Sequence, residues 1–342
     1  MEQERIDGTA DQTKQDDTFR KAKSSGKIKS IKALKILEGQ GYIVGKTLGS
    51  GSYASVKSAY DINQKHKVAI KIISKKKSFK VYLTKFLPRE IATMRNLGHH
   101  YAVIKFYQII ETTTRYFFIM ELAENGDLLR EIKAKEYIQE DQAGRWFIHL
   151  YEGIRYMHGK GLVHRDIKCE NLVLDKENTL KITDFGFAKK SGRTRSGGPS
   201  LCDTYCGSYA YAAPEILKGI PHDPEITDIW SMGVVLFTMV YGRLPFDDSN
   251  LKELLKQVSG RVTFPAKPDV SEKCQILMLK IFTKASDRII LKNFRVDTWF
   301  RSHRGVQNVE KNEKNPRGTS VADDKMSDDT KSIQVTTDKK TS

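Results

Sequence analysis

From Tyr42 to Ile73 polar and apolar residues alternate and many are β-branched, with breaks at Gly49-Ser50-Gly51-Ser52 and Asp61-Ile62-Asn63. This pattern predicts three strands joined by two turns. Helical spacing follows over Phe86 to Leu97, with Pro88 near its start, and Tyr116 to Met120 reads as a further strand. Between Gln142 and His158 the apolar residues Phe147, Leu150, Ile154 and Met157 recur at steps of three and four, the inner face of a helix. The longest apolar run, Ile229 to Tyr241, is interrupted by Ser231 and is shorter than the roughly 20 residues a membrane span needs, so it predicts a buried helix. A mostly β segment followed by a mostly α segment implies an α+β chain in two lobes.

The ends break this pattern. Residues 1–40 are polar, first acidic and then rich in Lys, Ser and Gly, and predict a disordered tail to about Gly39. Ile28, Ile31, Leu34 and Ile36-Leu37 could instead line a short helix that docks on the body or on a partner. Residues 303–342 are polar, without apolar periodicity, and read as a second disordered tail. Residues 41–302 remain as the folded unit, divided near Met120.

Composition changes the picture little. The chain has 342 residues, 39% of them hydrophobic, enough for a sizeable core. Of the net charge of +16, each tail of about 40 residues carries only 9 Lys/Arg against 7 Asp/Glu, so the excess belongs to the body, in part as Lys75-Lys76-Lys77. No recognition helix or aromatic-basic platform accompanies that charge, which argues against nucleic acid as a partner. The four cysteines lack zinc spacing, and reduced thiols fit best, with a redox switch at Cys202 and Cys206 as the alternative. The first residues lack a secretory signal, and no membrane association is expected.

Chemistry enters through five short motifs in fixed order: Gly49-Ser50-Gly51, Val68-Ala69-Ile70-Lys71, His164-Arg165-Asp166 with Asn171, Asp184-Phe185-Gly186, and Ala213-Pro214-Glu215. Phosphoryl transfer asks for neutralised charge and in-line positioning, and each motif meets one such need. Glycines let backbone N–H groups approach phosphates. An ammonium at the end of an apolar strand, as at Lys71, needs a counter-charge or a phosphate. Together the motifs resemble the eukaryotic protein kinase family from about Tyr42 to about Phe300.

That resemblance implies the bilobal protein-kinase fold, with a β-rich N-lobe and an α-rich C-lobe, using ATP and Mg²⁺. By it, Lys71 binds the α- and β-phosphates and pairs with Glu90. Asp166 orients the acceptor hydroxyl and takes its proton, beside Lys168, while Asn171 and Asp184 hold Mg²⁺. The nucleotide is expected among Leu48, Gly49, Ser50, Gly51, Ser52, Tyr53, Ala54, Ser55, Val56, Ala69, Met120, Glu121, Ala123, Asp127 and Val173. Met120 would be the gatekeeper and Asp127 would lie near the ribose. Ala54 replaces the family's third glycine, which predicts weaker or slower nucleotide handling. Thr204 stands where relatives carry the activating phosphate, with Arg165 and Lys189 as basic partners, the phosphate coming from an upstream kinase or in trans from a second copy. Glu215 should pair with Arg288, and Asp228 should cap the catalytic loop.

Lys168, two positions after Asp166, resembles the serine/threonine branch. Segments such as Lys85-Phe86-Leu87-Pro88-Arg89-Glu90-Ile91 and Tyr205 to Glu215 resemble the testis-specific serine/threonine kinases. This implies protein substrates and a role in spermatid differentiation and sperm function, in the cytoplasm with the nucleus and sperm flagellum as further compartments. Ser208 would bond Asp166 and Lys168 and shape the acceptor floor. Glu170 would take an arginine three residues before the acceptor. Thr238 replaces a second glutamate, so a second arginine at −2 should matter little. A pseudokinase scaffold is the alternative, although Lys71, Asp166, Asn171 and Asp184 are all present and only Ala54 speaks for it. A DNA-associated protein would rest on charge alone.

Overall fold

The computed structural model describes residues 35–51, 54–192, 201–202 and 208–304. Five strands, β1 (Tyr42–Ser50), β2 (Ala54–Asp61), β3 (His66–Ser74), β4 (Phe106–Glu111) and β5 (Arg115–Glu121), form an antiparallel sheet in the order β1-β2-β3-β5-β4. The alternating segment thus becomes the three strands expected of it, and β5 extends the 116–120 prediction by one residue at each end. β4 has no counterpart in the sequence reading.

The period-two pleat sorts the residues of this sheet onto two faces. Ala59, Val68, Ile70, Ile110, Phe117 and Ile119 pack on the outer face. Covering them is a short helix α1 over residues 35–39, whose Leu37 is fully buried. The disordered tail expected to about Gly39 therefore ends sooner, and the alternative of a short helix docked on the body holds at Leu37, while Ile28, Ile31 and Leu34 lie outside the described residues. On the inner face, Ile73, Phe118 and Met120 join the main core.

A π-helical turn, Tyr82–Phe86, leads into α2 (Leu87–Leu97), which has Pro88 in its first turn where a missing N–H costs nothing. After β5 come β6 (Gly126–Asp127), α3 (Leu128–Lys135) and α4 (Glu140–Gly159), the last matching the helix read from Gln142 to His158. Then follow β7 (Leu162–Val163), β8 (Leu172–Leu174), β9 (Leu180–Ile182) and β10 (Lys189–Lys190), the short strands that carry the catalytic loops. The helices α5 (Pro214–Leu217), α6 (Pro224–Tyr241), α7 (Leu251–Val258), α8 (Glu272–Ile281) and α9 (Leu291–Phe294) complete the larger lobe.

Helix α6 contains the apolar run, and nearly all of its residues are buried. Asp223 caps its start by accepting from Glu225 N, and Gly242 ends it in the left-handed region at φ 69°. A Cβ at Gly242 would also stand 1.8 Å from Glu136 O, so no other residue fits there. No helix among the described residues is long and apolar enough to cross a membrane. Residues 298–304 are helical, which carries the folded body just past residue 302.

Candidate active site

The site forms where the two lobes face each other. On β3, Lys71 lies opposite Val56 of β2 and Phe118 of β5. Its ammonium donates to Glu90 Oε1 of α2 at 2.7 Å and to Asp184 Oδ1 at 3.0 Å. Burial alone would lower the Lys71 pKa, but Asp184 and Glu90 outweigh it and hold the pKa well above the usual lysine value. Asp184 is in turn held below the ordinary aspartate range, chiefly by the charge of Lys71. The expected Lys71–Glu90 pair is therefore formed, with Glu90 wholly buried.

The β1–β2 turn is closed by Gly51 N donating to Ala54 O at 2.8 Å. Gly49 and Gly51 are not in the left-handed region, a Cβ on Gly49 would meet nothing within 4 Å, and one on Gly51 only Ala54 O at 3.8 Å. Among the described residues neither backbone conformation nor packing requires these glycines, which leaves open space beside the turn. Ser52 and Tyr53 lie outside the described residues.

Below the cleft, Asp228 of α6 organises the catalytic loop. Its carboxylate accepts from His164 N and Arg165 N, both at 2.9 Å, and lies 2.9 Å from His158 Nε2. These bonds hold Arg165 at φ 65°, a conformation costly for a residue with a side chain. Burial would raise the Asp228 pKa; the hydrogen bond and charge of His158, with lesser contributions from His164, bring it below the ordinary value.

The next residue is held on one side only. Asp166 Oδ2 accepts from Asn171 Nδ2 at 2.9 Å and pairs with Lys168 Nζ at 3.0 Å. Its Oδ1 is buried without a hydrogen-bond partner among the described residues. Lys168 also donates to Ser208 Oγ at 3.1 Å, so Ser208 meets Asp166 through Lys168 and not by the direct bond expected. Phe185 is buried edge-on against the His164 ring.

A cavity of about 910 Å³ runs along Lys71, Glu90 and Asp184, lined also by Gly49, Ser50, Gly51, Ala54, Ser55, Val56 and Glu170, and by Phe79, Val81, Tyr82, Phe86, Gly186 and Phe187. Glu170 is exposed in it. Leu48, Ala69, Met120, Glu121, Ala123, Asp127 and Val173 do not line this cavity, and neither do Asp166, Lys168 and Asn171 of the catalytic loop. Ala69 and Met120 are register partners on β3 and β5 and are nearly buried. The Glu121 carboxylate accepts from Lys105 N and pairs with Lys181 at 3.0 Å, and Asp127 caps α3 by accepting from Arg130 N. Val173 and Ala123 pack half-buried against the core, and Leu48 is exposed.

Of the regulatory set, Thr204 lies outside the described residues, as does Cys206. Arg165 Nε donates to Phe187 O at 2.8 Å, and Lys189 Nζ lies 3.5 Å from Cys202 Sγ. Glu215 and Arg288 pair as expected, with two contacts at 2.6 and 3.1 Å. Three groups escaped the sequence reading: Tyr82, whose hydroxyl donates to Glu90; Lys181, which ties β9 to Glu121; and His158 beside Asp228. Only His158 left a trace in sequence, as a histidine on the inner side of α4.

One carboxylate and one amide, Asp184 and Asn171, are a donor set too small for a closed metal cage. It suits Mg²⁺, which takes one or two protein ligands and completes its shell with phosphate and water. The cleft presents an ammonium and glycine backbone with room beside it, and the catalytic loop holds a buried acid whose Oδ1 has no partner among the described residues, which together fit phosphoryl transfer.

Comparison with known proteins leads to the same class. The family described as "Protein kinase domain" matches residues 42–300. The chain is 48% identical over 275 residues to testis-specific serine/threonine-protein kinase 4 of Homo sapiens, which covers 77% of this chain and 84% of that protein. It is 48% identical over 248 residues to testis-specific serine/threonine-protein kinase 1 of Mus musculus, covering 72% of this chain and 68% of the relative. With testis-specific serine/threonine-protein kinase 3 of Mus musculus the identity is 42% over 260 residues, 76% of this chain and 94% of the relative. The chain belongs to the protein kinase family, among its testis-specific serine/threonine kinases.

Proposed function

We propose that this kinase transfers the γ-phosphate of ATP to serine or threonine in proteins that carry arginine three residues before the acceptor, and that it acts in spermatid differentiation, chiefly in the cytoplasm. The observation that carries the catalytic reading is the lopsided environment of Asp166. One carboxylate oxygen is held by Asn171 and Lys168, and the other is buried without a partner among the described residues. An open, pre-oriented acceptor is what a general base needs to draw a hydroxyl proton. Lys168, held by Ser208, keeps positive charge beside that base. Lys71 holds the phosphates, and Asp184 and Asn171 are the residues for Mg²⁺, which supplies charge neutralisation on the phosphates when bound.

Glu170 supports the arginine preference: it is an exposed carboxylate on the cleft with no ion-pair partner among the described residues. A charge-assisted bond contributes roughly 1.5–3 kcal/mol. Replacing the −3 arginine of a peptide substrate by alanine should therefore lower kcat/KM by about 10- to 150-fold. Replacing a −2 arginine should change little, because Thr238 is buried with its hydroxyl donating to Val234 O and offers no carboxylate. A flat response at −3 removes the preference.

Activation by a phosphate on Thr204 belongs to the same reading. The group adds about −1.5 to −2 charges. Two contacts of about 1.5–3 kcal/mol each approach the roughly 5.5 kcal/mol that moves an equilibrium from 1:99 to 99:1. The test incubates wild type and Asp166→Asn with Mg-ATP and a peptide and maps phosphosites by mass spectrometry. Phosphate on the peptide and on Thr204 with wild type alone is the expected result; transfer by both proteins, or by neither, overturns the proposal.

A further inference from the structure

Outside the shared motifs, one hydroxyl reaches the centre of the site. Tyr82 Oη donates to Glu90 Oε2 at 3.0 Å, while Glu90 Oε1 receives the Lys71 ammonium at 2.7 Å. We propose that Tyr82 is a positioning residue for catalysis, which fixes the second oxygen of Glu90 so that the first stays on Lys71. This rests on the reading of Lys71 as the phosphate-binding lysine.

The physical need is plain. The Glu90 side chain has no exposed surface, and a buried carboxylate oxygen without a donor carries a full desolvation penalty. Lys71 serves one oxygen and Tyr82 the other. If Tyr82 withdrew, Glu90 would be favoured to turn toward water, and α2 would turn with it, because Glu90 lies near the start of that helix.

The local backbone is shaped for this contact. In a regular α-helix, residues eight apart fall about 80° out of line, at 3.6 residues per turn. Tyr82 and Glu90 are eight apart, and the segment between them begins with the π turn over Tyr82–Phe86. A π turn closes over more residues, rotates less per residue, and so swings Tyr82 toward the face that carries Glu90. Such turns gather at functional sites. The same turn ends on Phe86, whose ring meets that of Phe187 edge-on at 5.8 Å, and Phe187 O is held by Arg165. One turn thus touches the helix glutamate through Tyr82 and the segment after Asp184 through Phe86.

The test measures Mg-ATP dissociation constants, and kcat and KM for ATP with one peptide, for wild type, Tyr82→Phe and Tyr82→Leu, with melting temperatures alongside. Tyr82→Phe keeps the ring, which packs against the core, and removes only the O–H. Expected is a fall of roughly tenfold in kcat/KM for ATP, with the melting temperature lowered by only a few degrees, the cost of one buried oxygen left without its donor. Tyr82→Leu should show at least the same kinetic loss. A cycle with Glu90→Gln, read by nucleotide dissociation constants, should show that Tyr82→Phe costs little once the carboxylate is gone. Wild-type kinetics in Tyr82→Phe, a loss confined to Tyr82→Leu, or losses that simply add in the cycle would each overturn the inference. Failure of wild type itself to transfer phosphate, with Asp166→Asn as control, would instead overturn the reading beneath it.

Discussion

Arg288→Leu should be among the most damaging single changes outside the cleft. The guanidinium has no exposed surface. It donates to Glu215 Oε1 at 2.6 Å and Oε2 at 3.1 Å, to the carbonyls of Ile226 and Thr283 at 3.1 Å each, and lies 4.9 Å from the centre of the Trp230 ring. Leucine would leave a largely buried carboxylate with no cation and two carbonyls with one donor fewer. Removing one partner of such a pair costs about 3–5 kcal/mol. At roughly 2–4 °C per kcal/mol for a domain of this size, the melting temperature should fall by about 6–20 °C. Calorimetry and urea titration followed by circular dichroism both read this directly. The double variant Arg288→Leu with Glu215→Leu removes both charges and should lose clearly less than the sum of the single losses. A single-variant loss below about 1 kcal/mol, or strict additivity in the double, would refute the argument that the uncompensated charge is what destabilises.

Three further outcomes are expected. Leu37→Ala should cost about 2–5 kcal/mol in a urea titration, since a fully buried leucine leaves a cavity over the outer sheet face. Gly49→Ala should leave the melting temperature unchanged, because an added Cβ meets none of the described residues within 4 Å, while weakening use of ATP by up to roughly 10²-fold in kcat/KM. Asp228 has its folded-state pKa depressed, so its stabilisation is present above the ordinary carboxylate range and is lost as pH falls through the depressed value. Asp228→Asn should therefore be less stable than wild type near pH 7, with the gap closing in acid melts below about pH 4; a constant gap would contradict the sign.

Lys71 stands out at the end of an apolar strand, and the short motifs that carry the resemblance single out Asp166, Asn171 and Asp184; the structure brings Lys71 to Asp184 at 3.0 Å and Asn171 to Asp166 at 2.9 Å. The pairing of Glu215 with Arg288 and the capping by Asp228 came only through the family resemblance, since their partners are 73 and 64 residues away. Tyr82 and Lys181 could not be read. Each is an ordinary residue whose meaning lies in a contact made across the fold, and a π turn has no apolar period that separates it from a helix. Leu37 was legible only as an alternative: the apolar spacing that ends at Ile36-Leu37 allows a docking helix, but the Lys- and Gly-rich surroundings favour a tail until the sheet face that receives Leu37 exists. The pairing of the Glu121 carboxylate with Lys181, a buried ammonium on a different strand, is likewise beyond any local pattern.

The helix at residues 35–39 also bears on where this protein can be cut. The match to the protein kinase domain begins at residue 42. A fragment started there for expression would lack its lid of Leu37, leaving Val68, Ile70, Phe117 and Ile119 wet on one side. Such a fragment would tend to clump, and its poor behaviour would be mistaken for an inactive enzyme when it is only an uncapped one.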